Sequence, residues 1–147
     1  MIKCPKGLKI TKCSYGLGIF SKKNFKKGQV IAFVRGGKVD KKEKVSMYAL
    51  KIPRTDLFWD DIDIRKRRSW DTFLNHSDIS NAKMLFDRFN SRRPLAKLIA
   101  LCDIRKHEEI TINYRDYGDR LYKANRYSGL KANLSTLGKV PTIGLGA

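Results

Sequence analysis

The sequence is poor in the residues that build metal centres and disulfide frameworks. Its cysteines are Cys4, Cys13 and Cys102, an odd number without a CxxC pair, and its histidines are His76 and His107. An odd count argues against a disulfide scaffold. A tetrahedral zinc site needs four ligands at workable spacing, and these residues do not group that way. The expectation is reduced thiols in a reducing compartment and no metal. Long apolar runs are also missing, since none nears the roughly 20 residues that span a bilayer. The segment Met1–Lys12 alternates lysine with single apolar residues, unlike the continuous stretch of a signal peptide. The expectation is an intracellular protein with no membrane contact. Acidic residues are scarce as well: 14 Asp and Glu stand against 32 Lys and Arg, a net charge of +18. Such a surplus draws a chain to nucleic acid or another polyanion at low salt, without sequence preference.

What is present suffices for one folded domain. The chain has 147 residues, is 41% hydrophobic, and spreads seven Phe, six Tyr and two Trp along its length. That supports a real core and excludes full disorder, and the length fits one domain better than two. The charge is uneven. Residues 1–45 carry 13 cations and 2 acids, whereas residues 46–120 carry 15 and 12, so the middle is near balance.

The apolar segments are short. Leu8–Cys13 alternates, and Gln29–Arg35, Ala96–Leu101 and Ile110–Tyr114 have the composition of strands. Gly7, Gly16, Gly18, Gly28, Gly36 and Gly37 punctuate them as turns. Short strands between glycine turns predict a mainly β (α+β) fold. Helix is confined to two short candidates, Lys42–Leu50 and Asp116–Asn125. Residues 1–127 read as the domain. Residues 128–147, rich in Gly, Ser and Thr with Pro141, read as a tail of a composition often poorly ordered.

Three segments gain meaning only together: GLGIF (16–20) followed by NFKKGQVI (24–31), FLNHSDISNA (73–82), and DIRKHEEITINY (103–114). A GxG lets backbone approach a ligand closely, yet alone it is more often a turn. The third glycine and long helix of a dinucleotide fingerprint are absent. Asn75-His76 alone reads as a buried polar pair satisfying backbone groups, and EEITINY as a strand ending in an ordinary tyrosine. In this order and spacing the three resemble the SET domain of protein-lysine methyltransferases. That family's pattern has a GxG followed by an aromatic and a "KG" turn, a central NHS-x-x-PN, and a closing D-I-x-x-G-E-E-[IL]-T-x-x-Y. The match runs from about Leu8 to Tyr117. Without flanking cysteine-rich zinc modules, the compact form is most similar to small stand-alone SET proteins of large DNA viruses and microbes. Three positions depart from the pattern: Ser80 replaces the proline, His107 the glycine before Glu108-Glu109, and Leu17 an aromatic, with Tyr15 close by.

The resemblance implies short β-sheets, few short helices and a knot-like threading of the C-terminal part. It implies methyl transfer from S-adenosylmethionine to a lysine side chain of a histone or other basic, nucleic-acid-associated protein. Such transfer is an in-line displacement that needs a neutral amine and linear geometry. By resemblance, Gly16, Leu17, Gly18, Asn75, His76 and Tyr114 bind the donor. Tyr114 is the principal catalytic candidate, because a hydroxyl there positions the amine and accepts weak C–H···O contacts from the polarised methyl. An apolar channel lowers a lysine's pKa by desolvation, which favours the neutral nucleophile. Tyr48, ahead of an ALKI segment, is the candidate for a second tyrosine lining that channel, with a core role as its alternative. Tyr117, Tyr122 or Tyr127 closes the channel. Ile112 stands where the family often has an aromatic that limits methylation, so the aliphatic side chain predicts that more than one methyl can be added.

The charge bears on the substrate. A strongly basic protein repels a basic peptide unless its groove is locally acidic. Asp56, Asp60, Asp61 and Asp63 form one acidic cluster in the stretch where the family's insert shapes the peptide groove. Asp60 and Asp61 are the candidates to receive basic residues beside the target lysine, and a solvated loop is the alternative. Lys22-Lys23, Lys26-Lys27 and the lysines of 38–44 suit either nucleic acid or a plain solvated face. Residues 65–68 (RKRR) resemble a nuclear localisation run, which leaves nucleus or cytoplasm open, in a host cell if the protein is viral. A homodimer is compatible with the small size. The rival reading from another class is a non-catalytic basic SET-fold module that holds nucleic acid or chromatin.

Overall fold

A computed structural model of the chain describes residues 2–13, 16–62 and 67–118. Its strands in chain order are β1 (Leu8–Cys13), β2 (Gly16–Ser21), β3 (Val30–Arg35), β4 (Lys38–Lys41), β5 (Leu50–Lys51), β6 (Leu57–Asp60), β7 (Asn75–His76), β8 (Ala82–Arg88), β9 (Leu95–Ala100) and β10 (Glu109–Ile112). They form three small sheets, ordered β1-β2-β10-β7, β3-β9-β8 and β4-β6-β5. This is the short-sheet, helix-poor architecture expected from the sequence.

Alternation explains the inward faces. Strand β8 buries Ala82, Met84 and Phe86, and β9 buries Ala96, Leu98 and Ala100, while the intervening residues face outward. Trp59 on β6 lies 5.6 Å from Phe86 on β8, and Phe86 meets Tyr117 edge-on at 6.0 Å. These aromatics join two sheets to the last described turn. Gly37 is required there, because a Cβ at that position would overlap the Trp59 indole.

The first sheet positions the site. Strands β1 and β2 pair antiparallel from Leu8↔Ser21 to Cys13↔Gly16. Gly16 has φ 121°, a backbone conformation that L side chains rarely adopt. Strand β10 then lies between β2 and β7. It is antiparallel to β2 through Ile110↔Ile19 and parallel to β7 through Thr111↔Asn75 and Ile112↔His76. A parallel pair needs a long crossover, and here residues 77–108 supply it. The last described strand is thus inserted into the middle of a sheet begun near the N-terminus. Asn81 pins it, donating from Nδ2 to Glu109 O at 2.8 Å and accepting from Thr111 N–H at 2.9 Å.

Three local expectations need correction. Gly16 and Gly18, expected at turns, lie within β2 and pair with Cys13 and Thr11. The helix expected over Lys42–Leu50 is only a 3-10 turn at Lys42–Lys44. Ser46 instead gives its backbone N–H and its hydroxyl to Asp60, each at 2.7 Å, and Leu50 pairs in β5. The expected strand to Tyr114 ends at Ile112. The Asn113 side chain accepts from Arg115 N–H and starts a 3-10 turn, Tyr114–Tyr117, which Gly118 closes at φ 80°. Of the helix expected over 116–125, only the start falls on described residues. Tyr15, Asp63, Tyr122, Tyr127, the domain boundary at 127 and the 128–147 tail lie outside them. Among the described residues, no helix is long and apolar enough to cross a membrane, and no group of three or more His, Cys, Asp and Glu could hold a metal ion.

Candidate active site

Strand β7 brings Asn75 and His76 beside β10 and behind β2. Asn75 is 1% exposed. Its Nδ2 donates to Leu17 O at 3.0 Å and to Glu109 Oε2 at 2.8 Å, and it lies 3.6 Å from Cys13 Sγ. Gly18 lets these groups meet. A Cβ there would overlap Glu109 Oε2 and sit 2.9 Å from Asn75 Nδ2. The second glycine of the GxG is therefore required by side chains arriving from β10 and β7. Glu109 is legible in the sequence only as part of a strand motif. The signal in the sequence was an acid embedded in an apolar strand pattern beside Ile110.

His76 links this cluster to Tyr114. Its side chain is 2% exposed. Nδ1 accepts the Tyr114 backbone N–H at 3.0 Å, which leaves the ring proton of the neutral form on Nε2, 3.1 Å from Asp78 Oδ1. Arg115 Nη1 reaches the same carboxylate oxygen at 3.0 Å. The Tyr114 ring lies 5.2 Å from the imidazole, and its hydroxyl donates to Leu74 O at 2.8 Å. That bond engages the hydroxyl hydrogen, so what the oxygen can offer a ligand is acceptor capacity. The structure thus gathers Gly16, Leu17, Gly18, Asn75, His76 and Tyr114 around one sheet. The Leu17 side chain is exposed, while Ile112 is fully buried.

Tyr48 belongs to a neighbouring cluster. The Arg68 guanidinium stacks 4.1 Å over its ring and 3.9 Å over Phe73. Arg68 also donates from Nε to Thr72 Oγ1 at 3.0 Å and from Nη2 to Thr72 O at 2.7 Å. Phe73 precedes Leu74, so this aromatic slot adjoins the carbonyl that holds Tyr114. Tyr117 is turned elsewhere. It is 2% exposed, its oxygen accepts the Met84 N–H at 2.7 Å, and burial pushes its pKa up to about 12.

The acidic segment is not one solvated face. Asp60 is engaged by Ser46. Asp61 is 8% exposed and sits beside Asp71, itself 5% exposed. Burial, then the Asp71 carboxyl, push the Asp61 pKa up to about 9. Among the described residues, no N–H or hydroxyl donor reaches Asp61 Oδ2 or Asp71 Oδ1. A proton held on Asp61 lets its carboxyl donate to the Asp71 side chain. Asp56 remains exposed.

A profile of the SET domain matches residues 16–115, which span every segment of this cluster from Gly16 to Arg115. Among solved structures, the chain is similar to the crystal structure of a Plasmodium falciparum protein described as a candidate histone methyltransferase. The two are 26% identical with a TM-score of 0.57, and the likeness covers 76% of this chain and 95% of that one. No curated protein sequence matches the chain.

Proposed function

The chain belongs to the SET-domain family, and from that premise we propose that it is an S-adenosylmethionine-dependent protein-lysine N-methyltransferase. The observation that carries the reading is the fixed Tyr114, held at its backbone by His76 and at its hydroxyl by the Leu74 carbonyl. The donor supplies a methyl group on a sulfonium, transferred in line to a neutral lysine nitrogen. The donor carries an ammonium, a sulfonium and a carboxylate, and the acceptors around Asn75 suit its two cationic groups. The Glu109 carboxylate and the Leu17 carbonyl are acceptors gathered in a chain that elsewhere carries a large positive surplus.

In this reading Asn75 holds the Gly16–Gly18 backbone and Glu109 in one arrangement. Tyr114 presents its oxygen to the amine and to the methyl hydrogens. Tyr48 lines the lysine channel, and Ile112 leaves room for further methyls. The exposed Asp56 meets basic residues beside the target lysine, while Asp60 and Asp61 shape the segment that carries it. Tyr117, expected to close the channel, instead anchors the turn after Tyr114 to β8 through Met84. The substrate is a histone or another basic protein associated with nucleic acid, inside a cell. The histone class is favoured by the name given to the Plasmodium neighbour.

Calorimetric titration with S-adenosylmethionine tests this at about 50 and about 200 mM salt, a range over which purely electrostatic binding collapses. Binding that hardly moves with salt, together with labelled-methyl transfer to histones or ribosomal proteins, is the expected result. No donor binding at either salt would overturn the enzyme reading and leave the basic binding module.

A further inference from the structure

We propose that the outer face of the β3-β9-β8 sheet, with the arginine-lined hollow at its end, binds single-stranded nucleic acid. The register assembles this face in three rows. Val30, Ile99 and Lys83 lie side by side, then Phe33, Lys97 and Leu85, then Arg35, Leu95 and Arg88. Every row holds apolar surface and at least one cation. Phe33 is 49% exposed in the central row, and the Arg35 guanidinium lies 5.7 Å from its ring. At the end of the sheet, a hollow of about 370 Å³ is lined by Arg35, Gly36, Gly37, Arg92, Arg93 and Pro94.

This sheet is strongly basic. The three strands and the 89–94 connection carry Arg35, Lys83, Arg88, Arg92, Arg93 and Lys97 against a single acid, Asp87. That acid is exposed and pairs with Lys97 at 3.1 Å. Without the five cations and one acid that fall in this stretch, the rest of residues 46–120 carries ten cations against eleven acids. Within residues 46–120, the β8–β9 stretch therefore carries the positive surplus, while the basic N-terminal third adds further cations outside this sheet. Guanidinium forks suit phosphate oxygens. A polyanion fits this face for that reason, and the exposed aromatic selects which polyanion. An unstacked base offers its ring face to Phe33, whereas a duplex keeps its bases stacked inside. The surface lies on other strands than the Tyr114 cluster, so the proposal does not depend on methyl transfer. It would hold a nucleic-acid-bound substrate near the enzyme.

The test is fluorescence anisotropy of the full chain with a labelled oligouridylate strand and with an RNA duplex of the same length. The single strand is expected to bind more tightly. Phe33→Ala weakens it about tenfold, as expected for loss of one stacked base, whereas Phe33→Tyr keeps it. The pair Arg92→Glu and Arg93→Glu weakens binding and lowers the salt slope by about two. A matched pair off this face, Lys42→Glu and Lys44→Glu, weakens it less. The proposal is overturned if the duplex binds as tightly as the strand, if Phe33→Ala changes nothing, or if the matched pair costs as much as the arginine pair. Absence of RNA binding, with an acidic protein captured instead, overturns it too.

Discussion

Replacing Gly18 by alanine adds one methyl group where Glu109 and Asn75 meet. Gly18 lies within β2 and its backbone φ is not in the left-handed region, so the cost is steric. The new Cβ displaces the Glu109 carboxylate and removes its hydrogen bond to Asn75. A hydrogen bond to a charged group contributes about 1.5–3 kcal/mol. Alanine returns about 0.5–1 kcal/mol relative to glycine in a strand. The net loss is therefore about 1–2 kcal/mol, a fall in Tm of about 2–8 °C for a chain of this size. Thermal denaturation of Gly18→Ala, Glu109→Ala and the double variant checks it. Once Glu109 is alanine, the carboxylate no longer obstructs the methyl and only the Asn75 amide must shift. Gly18→Ala should then cost little, with a coupling of about 1–2 kcal/mol between the two sites. Additivity within about 0.5 kcal/mol would refute the packing explanation of the motif's second glycine.

Asp61 keeps its proton in the folded protein up to about 9, whereas the unfolded chain releases it near 3.8. The unfolded state binds fewer protons across that window, so stability falls as pH rises through it. Asp61→Asn should flatten the decline and raise Tm at pH 7, and an unchanged pH profile by calorimetry would contradict the protonated, buried Asp61. Tyr117→Phe leaves the Met84 N–H without its acceptor and should cost about 1–3 kcal/mol in urea unfolding. It should also remove the loss of stability that wild type shows as pH rises from 10 to about 12. Exhaustive reaction followed by intact mass of a peptide product should reveal di- or trimethylated species, and Ile112→Phe should shift them toward monomethyl. Only monomethyl product from wild type would oppose the role given to Ile112.

Strands with six residues and a clear pattern were legible from sequence: β1, β3 and β9 lie within one residue of expectation. Strand β8 alternates as plainly, with Ala82, Met84 and Phe86 inward, but its start coincides with the end of the NHS segment, which hides it. Strands β5 and β7 have two residues each, too few for any period, and exist because β6 and β10 give them partners. At the site, Asn75, His76 and Tyr114 could be named from their motifs. Their bonding could not, because Glu109 meets Asn75 across 34 residues and Tyr114 meets Leu74 across 40. Asp61 shows the same limit. It sits among other acids in sequence, yet Asp71 returns beside it and burial removes the charge that the local pattern implied.

The central claim is that the Tyr114 oxygen acts on the reacting groups, and Tyr114→Phe tests it most directly. The ring that packs against His76 is kept, and only the hydroxyl is lost. The measurement is transfer of labelled methyl from S-adenosylmethionine to an acceptor protein, beside donor affinity and Tm for both proteins. Tyr114→Phe should lower kcat about a hundredfold or more, keep donor affinity close to wild type, and cost about 1–3 kcal/mol of stability from the unpaired Leu74 carbonyl. Transfer by the phenylalanine variant at the wild-type rate would contradict the claim.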